Sequence, residues 1–285
     1  MDKKINDLKE RKHTLFTSTI SGEVDEEVVI LGKKLTEVAE KQSFAAIVGS
    51  LWLGRELKSL KTENFIDLVL KLLVDHGPYQ SGAVNTIISA RAGKDLVSSL
   101  VSGLLTIGPR FGGAINASAQ VFYTAVSDQK EPAALIEEFA HQKRYIPGIG
   151  HKKYRIDMPD PRVKMLQASV KGVGGEYLKY AQQVEKITSA KKPNLILNVD
   201  GTIAAILLDL LTSEEQFDNL AIQQLIEAEF FNAFFVLSRS VGFIAHYLDQ
   251  KRLNEGLFRL NPDEVFSAEI QNSNLQIHKS SSKFK

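Results

Sequence analysis

Three side chains that can move protons, His76, His151 and Asp200, each stand beside a glycine between apolar stretches of the chain. A histidine with a pKa near ~6.5 can take up and return a proton at neutral pH, and burial can raise the pKa of a carboxyl group toward that range. Glycine-rich loops on rigid scaffolds often carry such groups. The pattern therefore indicates general acid–base chemistry. The structural alternatives are a buried histidine at 76, a turn-capping histidine at 151, and an N-cap at Asp200 for a helix starting near Ile203.

Carboxylate recognition is the second chemistry that the sequence offers. Arg239 lies within the otherwise apolar residues 230–244, where a buried charge requires a partner. Arginine binds a carboxylate through two parallel hydrogen bonds, so Arg239 is a candidate contact for an acidic ligand. Arg155, Arg162 and Arg259 are scattered, and each alone is better explained as a solvated surface group, because most arginines are.

Two basic pairs flank glycine turns, Lys152-Lys153 and Lys191-Lys192. Lysines beside the backbone N–H groups of turns such as that at Gly148 and Gly150 can hold phosphate. The alternative for each pair is a solvated face. His246 and Asp249 are three residues apart on a predicted helix; two ligands do not make a metal site, so both are interpreted as structural and no metal is predicted.

Helical periodicity dominates the elements that must position these groups. Apolar pairs four residues apart predict helices over residues 96–105, 135–140 (with Pro132 in the first turn) and 203–211. Residues 221–248 are apolar around much of a helix, which predicts a central buried helix or helix pair. Short strands are predicted only at residues 28–31 and 194–199, so the predicted fold class is all-α.

Composition bounds the remaining possibilities. The chain has 285 residues, 44% of them hydrophobic, with a net charge of +1 and no cysteine. The charge balance argues against nucleic acid or acidic membranes as partners, and the missing cysteines exclude disulfides and thiolate chemistry. The first twelve residues are too charged for a secretory signal, and residues 96–109 are too short to span a bilayer. We expect a soluble, cytoplasmic protein.

Five segments follow one another along the chain: D-H-G-P-x-x-S-G-A-x-N-T, G-P-R-F-G-G, G-I-G-H followed by D-P-R, K-K-P-N-L-I-L-N-V-D-G and R-S-x-G-F-I-x-H-Y-L-D-Q-K-R-L. In this order they resemble the C-terminal domain of ATP-citrate lyase and, more distantly, citrate synthase. The match runs from about Leu31 to Arg259. It implies a citrate-synthase-like fold with a large helical domain and a smaller, mobile one at about 148–220, with hinges near 147–150 and 172–175. Residues 1–30 are then an N-terminal segment, and residues 267–285 a polar tail expected to be disordered.

The resemblance implies the lyase part of that enzyme alone, because the chain has neither a Walker-type motif nor the length for a ligase domain. The implied reaction cleaves (3S)-citryl-CoA to acetyl-CoA and oxaloacetate without ATP. Coenzyme A would enter as part of the substrate, and no prosthetic group is implied. The implied protein is a homo-oligomer, at least a dimer, beside a separate citryl-CoA synthetase in a reductive or otherwise modified citric acid cycle.

The family also implies roles for the reacting groups. His151 would accept the proton of the citryl hydroxyl, and Asp200 would deliver a proton to the enol carbon. The apolar residues 195–199 would desolvate Asp200 and raise its pKa. His76 would hydrogen-bond a carboxylate of the oxaloacetate portion.

The binding residues follow from the same resemblance. Arg162, Arg239 and Arg259 would bind the citrate portion, with Arg259 reaching in from the neighbouring subunit. The coenzyme A phosphates would be held by two turns and the lysines beside them: Gly148, Gly150, Lys152, Lys153, Lys191 and Lys192.

Phe111 departs from citrate synthase, which has a histidine at this position to stabilise the enol of acetyl-CoA. Phenylalanine cannot donate a hydrogen bond, so the change favours a lyase over a synthase. The enol stabiliser stays open between a backbone N–H, a water and His76. The alternatives are a citrate synthase, the lyase subunit of a split ATP-citrate lyase, and a non-catalytic subunit that binds coenzyme A.

Overall fold

The computed structural model describes residues 16–172 and 175–265, and helices make up most of this part of the chain. The all-α prediction is confirmed, apart from one small sheet. The predicted disordered tail, the start of the N-terminal segment and residues 173–174 of the predicted hinge lie outside the described residues. The helices are α1 (Leu35–Lys41), α2 (Phe44–Leu53), α3 (Leu60–Leu73), α4 (Ser81–Arg91), α5 (Leu96–Leu104), α6 (Ala114–Ser127), α7 (Pro132–His141), α8 (Pro161–Ser169), α9 (Glu176–Lys191), α10 (Val199–Ser213), α11 (Asn219–Glu227) and α12 (Phe230–Leu253).

The sheet is antiparallel, with strands β1 (Ser21–Val24), β2 (Glu27–Ile30) and β3 (Lys33–Lys34) in chain order. β2 confirms the strand predicted at residues 28–31. The strand predicted at 194–199 is wrong, because this segment forms one isolated bridge, Ile149 to Leu197, and Val199 already begins a helix. An apolar run of that length is equally compatible with a buried loop that enters a helix.

The periodicity predictions for helices are confirmed by α5, α7 and α10, and Pro132 occupies the first turn of α7. Residues 221–248 form the helix pair α11 and α12, which meet at Glu229 in the left-handed region (φ 57°). No single helix in the described part of the chain is long and apolar enough to cross a membrane. The pair α11–α12, bent by 46°, passes that test only when both helices are counted together.

Helix α10 is the centre of the core. Almost every residue from Val199 to Leu211 is buried, and the helix packs against α6, α8 and α9. Helix α12 packs against α3, α4 and α5, with Phe231, Phe234 and Phe243 fully buried. One continuous apolar cluster contains residues from inside and outside the range 148–220. The mobility of that range stays a prediction.

Two buried carboxylates connect helices to one another. Glu215, fully buried just after α10, accepts hydrogen bonds from the N–H groups of Lys58 and Ser59 ahead of α3 and from Arg55 Nη1 at 3.2 Å. Asp209 on α10, 4% exposed, accepts from Tyr177 N at 2.9 Å and Leu178 N at 3.0 Å in the first turn of α9. Each carboxylate therefore accepts hydrogen bonds from backbone N–H groups at or near the start of another helix.

Candidate active site

A cavity of about 260 Å³ brings together five of the predicted site residues: His76, His151, Arg162, Asp200 and Arg239. They come from the segment after α3, the loop before α8, the first turn of α8, the first turn of α10 and the middle of α12. Residues more than 160 positions apart in sequence therefore share one wall. The remaining wall residues are Leu73, Gln80, Pro109, Arg110, Phe111, Gly112, Ala114, Asn198, Val199 and Phe235.

The loops that carry His151 and Asp200 are held together by backbone hydrogen bonds. Gly150 N donates to Ile196 O at 2.7 Å, and Asn198 N donates to Gly148 O at 2.9 Å. Gly148 has φ +82°, and a Cβ there would lie 2.6 Å from Gly201 Cα. Only glycine fits this approach, which fixes the two loops against each other. A contact of Gly148 or Gly150 with coenzyme A stays a prediction.

Asp200 is not the N-cap of its helix. Asn198 has that role, since its side chain accepts from Gly201 N at 3.1 Å, and α10 begins at Val199 rather than near Ile203. Asp200 lies in the first turn, on the cavity wall. Enclosure of its carboxyl group raises its pKa, an effect opposed by the nearby charges of Arg162 and Arg239. A raised pKa suits a group that has to carry a proton.

His151 is fixed in one tautomer by its own loop. Its Nδ1 accepts hydrogen bonds from Lys153 N and Tyr154 N, both at 2.9 Å. The proton of the neutral ring therefore lies on Nε2, which makes Nε2 a hydrogen-bond donor. Burial lowers the pKa of His151. The negative charge of Asp160 raises this pKa, and the positive charge of Arg162 lowers it. The ring is neutral at physiological pH.

His76 lies beside a small polar network. Burial lowers the pKa of His76, and the charges of Arg162 and Arg239 lower it further. The preceding residue, Asp75, accepts from His246 Nε2 at 3.1 Å and from Gly77 N at 3.1 Å. His246 thus holds the His76 loop against α12. Across the described residues, no group of three metal-ligating side chains is close enough to hold an ion.

Arg162 is held by a carboxylate that the sequence analysis did not single out. Asp160 is 1% exposed and accepts from Arg162 Nε at 3.1 Å and Nη2 at 2.7 Å. Burial opposes ionisation of Asp160, but the hydrogen bonds from Arg162 outweigh it and hold the pKa of Asp160 below its ordinary value. Asp160 also caps α8. The available signal was the Asp-Pro-Arg sequence, which places an N-cap before a first-turn proline.

Arg239 is buried, as predicted, but two of its guanidinium nitrogens have no hydrogen-bond partner among the described residues. The residue is 4% exposed, and its guanidinium carbon lies 4.7 Å from the centre of the Phe235 ring. Its Nε and Nη1 are enclosed, and no group in the described part of the chain accepts a hydrogen bond from either atom. Burial lowers the pKa of Arg239. Leaving a buried cation without a partner is costly, so this wall of the cavity is suited to an anion.

Seven predicted binding residues are not on the cavity wall: the glycines Gly148 and Gly150, and five basic residues, Lys153 among them. Arg259 is exposed in the extended segment after α12, and Lys152, Lys191 and Lys192 are exposed. Their roles stay predictions. Arg155 is also exposed, with its Nε 3.7 Å from Asp157 Oδ1.

The cavity also includes polar residues to which the sequence analysis gave no role. Gln80 and Asn198 line it, and Asn198 Nδ2 donates to Gly150 O at 3.0 Å. Arg110 lines it from the Gly108–Gly113 turn. That turn was recognised as a motif, but the interpretation rested on Phe111.

Comparison with known proteins gives a consistent result. A family model described as "Citrate synthase, C-terminal domain" matches residues 27–261. A probable ATP-citrate synthase of Dictyostelium discoideum is 46% identical over 91% of this chain, which spans 42% of that relative. Among solved structures, ATP citrate lyase from Methanothrix soehngenii, in complex with citrate and coenzyme A, has a TM-score of 0.88 at 41% identity, covering 98% of this chain and 46% of that one. Citryl-CoA lyase from Hydrogenobacter thermophilus has a TM-score of 0.77 at 26% identity, covering 92% and 98%.

Proposed function

We propose that this chain, which belongs to the citrate synthase family, cleaves (3S)-citryl-CoA to acetyl-CoA and oxaloacetate without ATP. The observation that carries the proposal is the buried guanidinium of Arg239, whose Nε and Nη1 have no acceptor among the described residues. It shares a cavity with two neutral histidines and an Asp200 whose pKa is raised. This cleavage requires groups that bind carboxylates and a group that donates a proton to carbon.

In the proposed reaction, the citryl portion lies with one carboxylate on Arg239. The hydroxyl proton is released to solvent while His151 Nε2–H hydrogen-bonds the oxygen. The carbon–carbon bond then breaks: the oxygen becomes the carbonyl of oxaloacetate, and the bonding electron pair forms the enolate of acetyl-CoA. Protonated Asp200 delivers its proton to the enolate carbon, which completes acetyl-CoA.

The tautomer of His151 sharpens the role expected from the family. A base at Nε2 would need the proton on Nδ1, which faces two backbone N–H donors. We therefore assign His151 as a donor that stabilises negative charge on the oxygen, instead of the base that the resemblance implied. A pH profile of kcat in which no histidine titrates near neutrality would agree with this assignment.

A second candidate function is the citryl-CoA-cleaving part of an ATP-citrate lyase. It is favoured by sequence identity, 41% to the Methanothrix enzyme against 26% to the Hydrogenobacter lyase. The chain also spans less than half of the ATP-citrate synthase of Dictyostelium discoideum. The chemistry at the cavity would be the same, with citryl-CoA supplied by a ligase partner. The exposed Val97, Val101 and Leu105 at α5 support an oligomer in either case.

A citrate synthase is disfavoured by Phe111. Its ring packs edge-on against Phe235, with 5.6 Å between ring centres. The residue at this position therefore contributes packing and no hydrogen-bond donor.

The test gives the purified chain synthetic (3S)-citryl-CoA, with malate dehydrogenase and NADH to report oxaloacetate and a separate assay for citrate. Rapid NADH loss with little citrate is the expected result, and Asp200→Asn should abolish it. Citrate and free coenzyme A without NADH loss would mean hydrolysis and contradict the proposal. Turnover only after addition of a ligase partner would favour the second candidate, and no turnover in either case would indicate a non-catalytic subunit.

A further inference from the structure

Glu185 is a half-buried carboxylate on α9 that the proposed chemistry does not use. Its Oε1 accepts a hydrogen bond from Leu197 N at 2.9 Å. No cation pairs with Glu185 in the described part of the chain. Burial raises the pKa of Glu185, and the hydrogen bond from Leu197 lowers it. The carboxylate therefore serves a backbone N–H of the segment that leads into α10.

Residues 194–198 lie between α9 and the loop that carries His151. On the side of that loop, the segment is hydrogen-bonded through Ile196 O and Asn198 N. Successive peptide groups of an extended segment point in alternate directions, so the N–H of Leu197 points away from the loop and toward α9. The loop of His151 therefore holds one edge of the segment and leaves the other edge to α9.

Helix α9 holds that second edge through two side chains. Glu185 and Thr188 are three residues apart and share one face of the helix. Glu185 accepts from Leu197 N, and Thr188 Oγ1 donates to Leu195 O at 2.7 Å. Both contacts are side chain to backbone, so they fix the path of the segment itself.

Leu197 also belongs to the packing beside Asp200. Its side chain is 1% exposed. A Cβ at Gly201, the residue after Asp200, would lie 2.8 Å from Leu197 Cδ1, so the leucine packs directly on the first turn of α10. A shift of Leu197 would therefore move this turn and open the carboxyl group of Asp200 to water.

We propose that Glu185 is a positioning residue for the proton transfer at Asp200. Through Leu197 N it holds residues 194–198 in place, and the segment in turn keeps the first turn of α10 in position and shielded from water. The inference rests on the proposed function for the reaction that Asp200 serves. Glu185 does not line the cavity, so it acts through the segment and touches no substrate.

The groups that face Asp200 directly are different ones. Arg162 on α8 and Arg239 on α12 lower its pKa by their charge, and His76 and His151 line the same cavity. The charge of Glu185 does not contribute to the pKa of Asp200. Loss of the hydrogen bond and loss of the charge at position 185 therefore have different consequences, which two substitutions separate.

The kinetic test compares Glu185→Ala with Glu185→Gln in the cleavage of (3S)-citryl-CoA. The alanine variant should lower kcat about 10- to 100-fold with KM nearly unchanged, because the reacting group is misplaced while binding is kept. Water admitted to Asp200 should bring its pKa down toward the ordinary value, so the fall of kcat with rising pH should begin at lower pH. The glutamine variant keeps an oxygen acceptor for Leu197 N and should restore both kcat and the pH profile.

The matched control is Gln182→Ala, an equivalent truncation at an exposed position of the same helix. It should leave kcat and its pH profile as in the wild type. A second measurement, amide hydrogen exchange of the peptide that contains Leu197, does not depend on turnover. Exchange should be faster in Glu185→Ala than in the wild type, Glu185→Gln and Gln182→Ala, because the N–H has lost its acceptor.

Wild-type kcat in Glu185→Ala, or unchanged exchange at Leu197, would overturn the inference and leave the proposed function standing. A lower melting temperature with no shift of the pH profile would overturn it too, because that result describes a purely structural contact. The same pH shift in Glu185→Gln would assign the effect to the charge of Glu185 and contradict the account. A wild type without turnover would contradict the proposed function, and exchange that still depends on Glu185 would then support its hold on the segment.

Discussion

Glu215 and Arg239 are both buried charged residues, one at the C-terminal end of α10 and the other in the middle of α12. Glu215 is completely enclosed and accepts two backbone N–H groups and the guanidinium of Arg55. Arg239 is 4% exposed, and its Nε and Nη1 have no acceptor in the described part of the chain. The protein satisfies one buried charge fully and leaves the other open toward a cavity.

The difference separates a structural charge from a binding charge. Burial of an ion is costly unless hydrogen bonds and an opposite charge offset it. Glu215 meets that condition within the fold and ties α10 to the start of α3. Arg239 does not meet it within the described residues, because its Nε and Nη1 have no acceptor there, and these two donors are suited to an anionic ligand. Asp209 is intermediate, because it has backbone N–H donors but no paired cation among the described residues, and burial raises its pKa to about 6.

The largest predicted effect concerns Asp200, which lines the same cavity as Arg239. Asp200→Asn should lower kcat for citryl-CoA cleavage by about 100- to 10,000-fold, because the amide cannot deliver the proton to carbon. In the wild type, cleavage needs protonated Asp200, so kcat should fall as pH rises through its raised pKa. Stopped-flow assays over pH measure both effects. An Asn variant with wild-type turnover and intact fold would remove Asp200 from the reaction.

For the buried charge that is paired within the fold, Glu215→Gln should lower the free energy of unfolding by roughly 3 kcal/mol. The substitution breaks a buried ion pair and weakens two backbone hydrogen bonds. Chemical denaturation measures this change. Binding of oxaloacetate by the folded variant should match the wild type. The comparison would fail if the variant kept its stability and lost ligand binding.

The smallest predicted effect concerns Asp209. Its folded pKa of about 6 lies above the ordinary value of 3.8, so the folded state holds the proton more tightly than the unfolded state. The resulting stabilisation is fully present below pH 3.8 and is lost as pH rises through 6. Between pH 5 and 7 the wild type should lose about 1 kcal/mol through this group. Chemical denaturation of Asp209→Asn at pH 5 and pH 7 should show that the variant lacks this loss of stability. An unchanged pH dependence in the variant would assign it to other groups.

The sequence predicted which side chains share the cavity better than it predicted the contacts around them. His76, His151, Arg162, Asp200 and Arg239 share one cavity, and the ordered motifs indicated them because loop residues at fixed spacing leave a local signal. The helix faces were predicted for the same reason. A charge inside an apolar helix, as at Arg239, is likewise visible without a structure.

Long-range contacts left no such signal. The bonds of His246 to Asp75 and of Glu215 to the residues before α3 join positions more than 150 apart, and no pattern in one sequence pairs them. The tautomer of His151 depends on the fold of its own loop. The apolar run before Asp200 predicted a strand, because periodicity alone does not distinguish a short strand from a buried loop.

The most direct test of the central claim is the stability of Arg239→Met with and without oxaloacetate. Methionine fills much of the same volume without a charge, so the ligand-free variant should unfold at the same temperature as the wild type or higher. Oxaloacetate at 100 times its Kd should stabilise the wild type by about 2.7 kcal/mol and the variant hardly at all. A ligand-free variant destabilised as strongly as Glu215→Gln, with its response to oxaloacetate intact, would show that Arg239 is a structural charge and contradict the account.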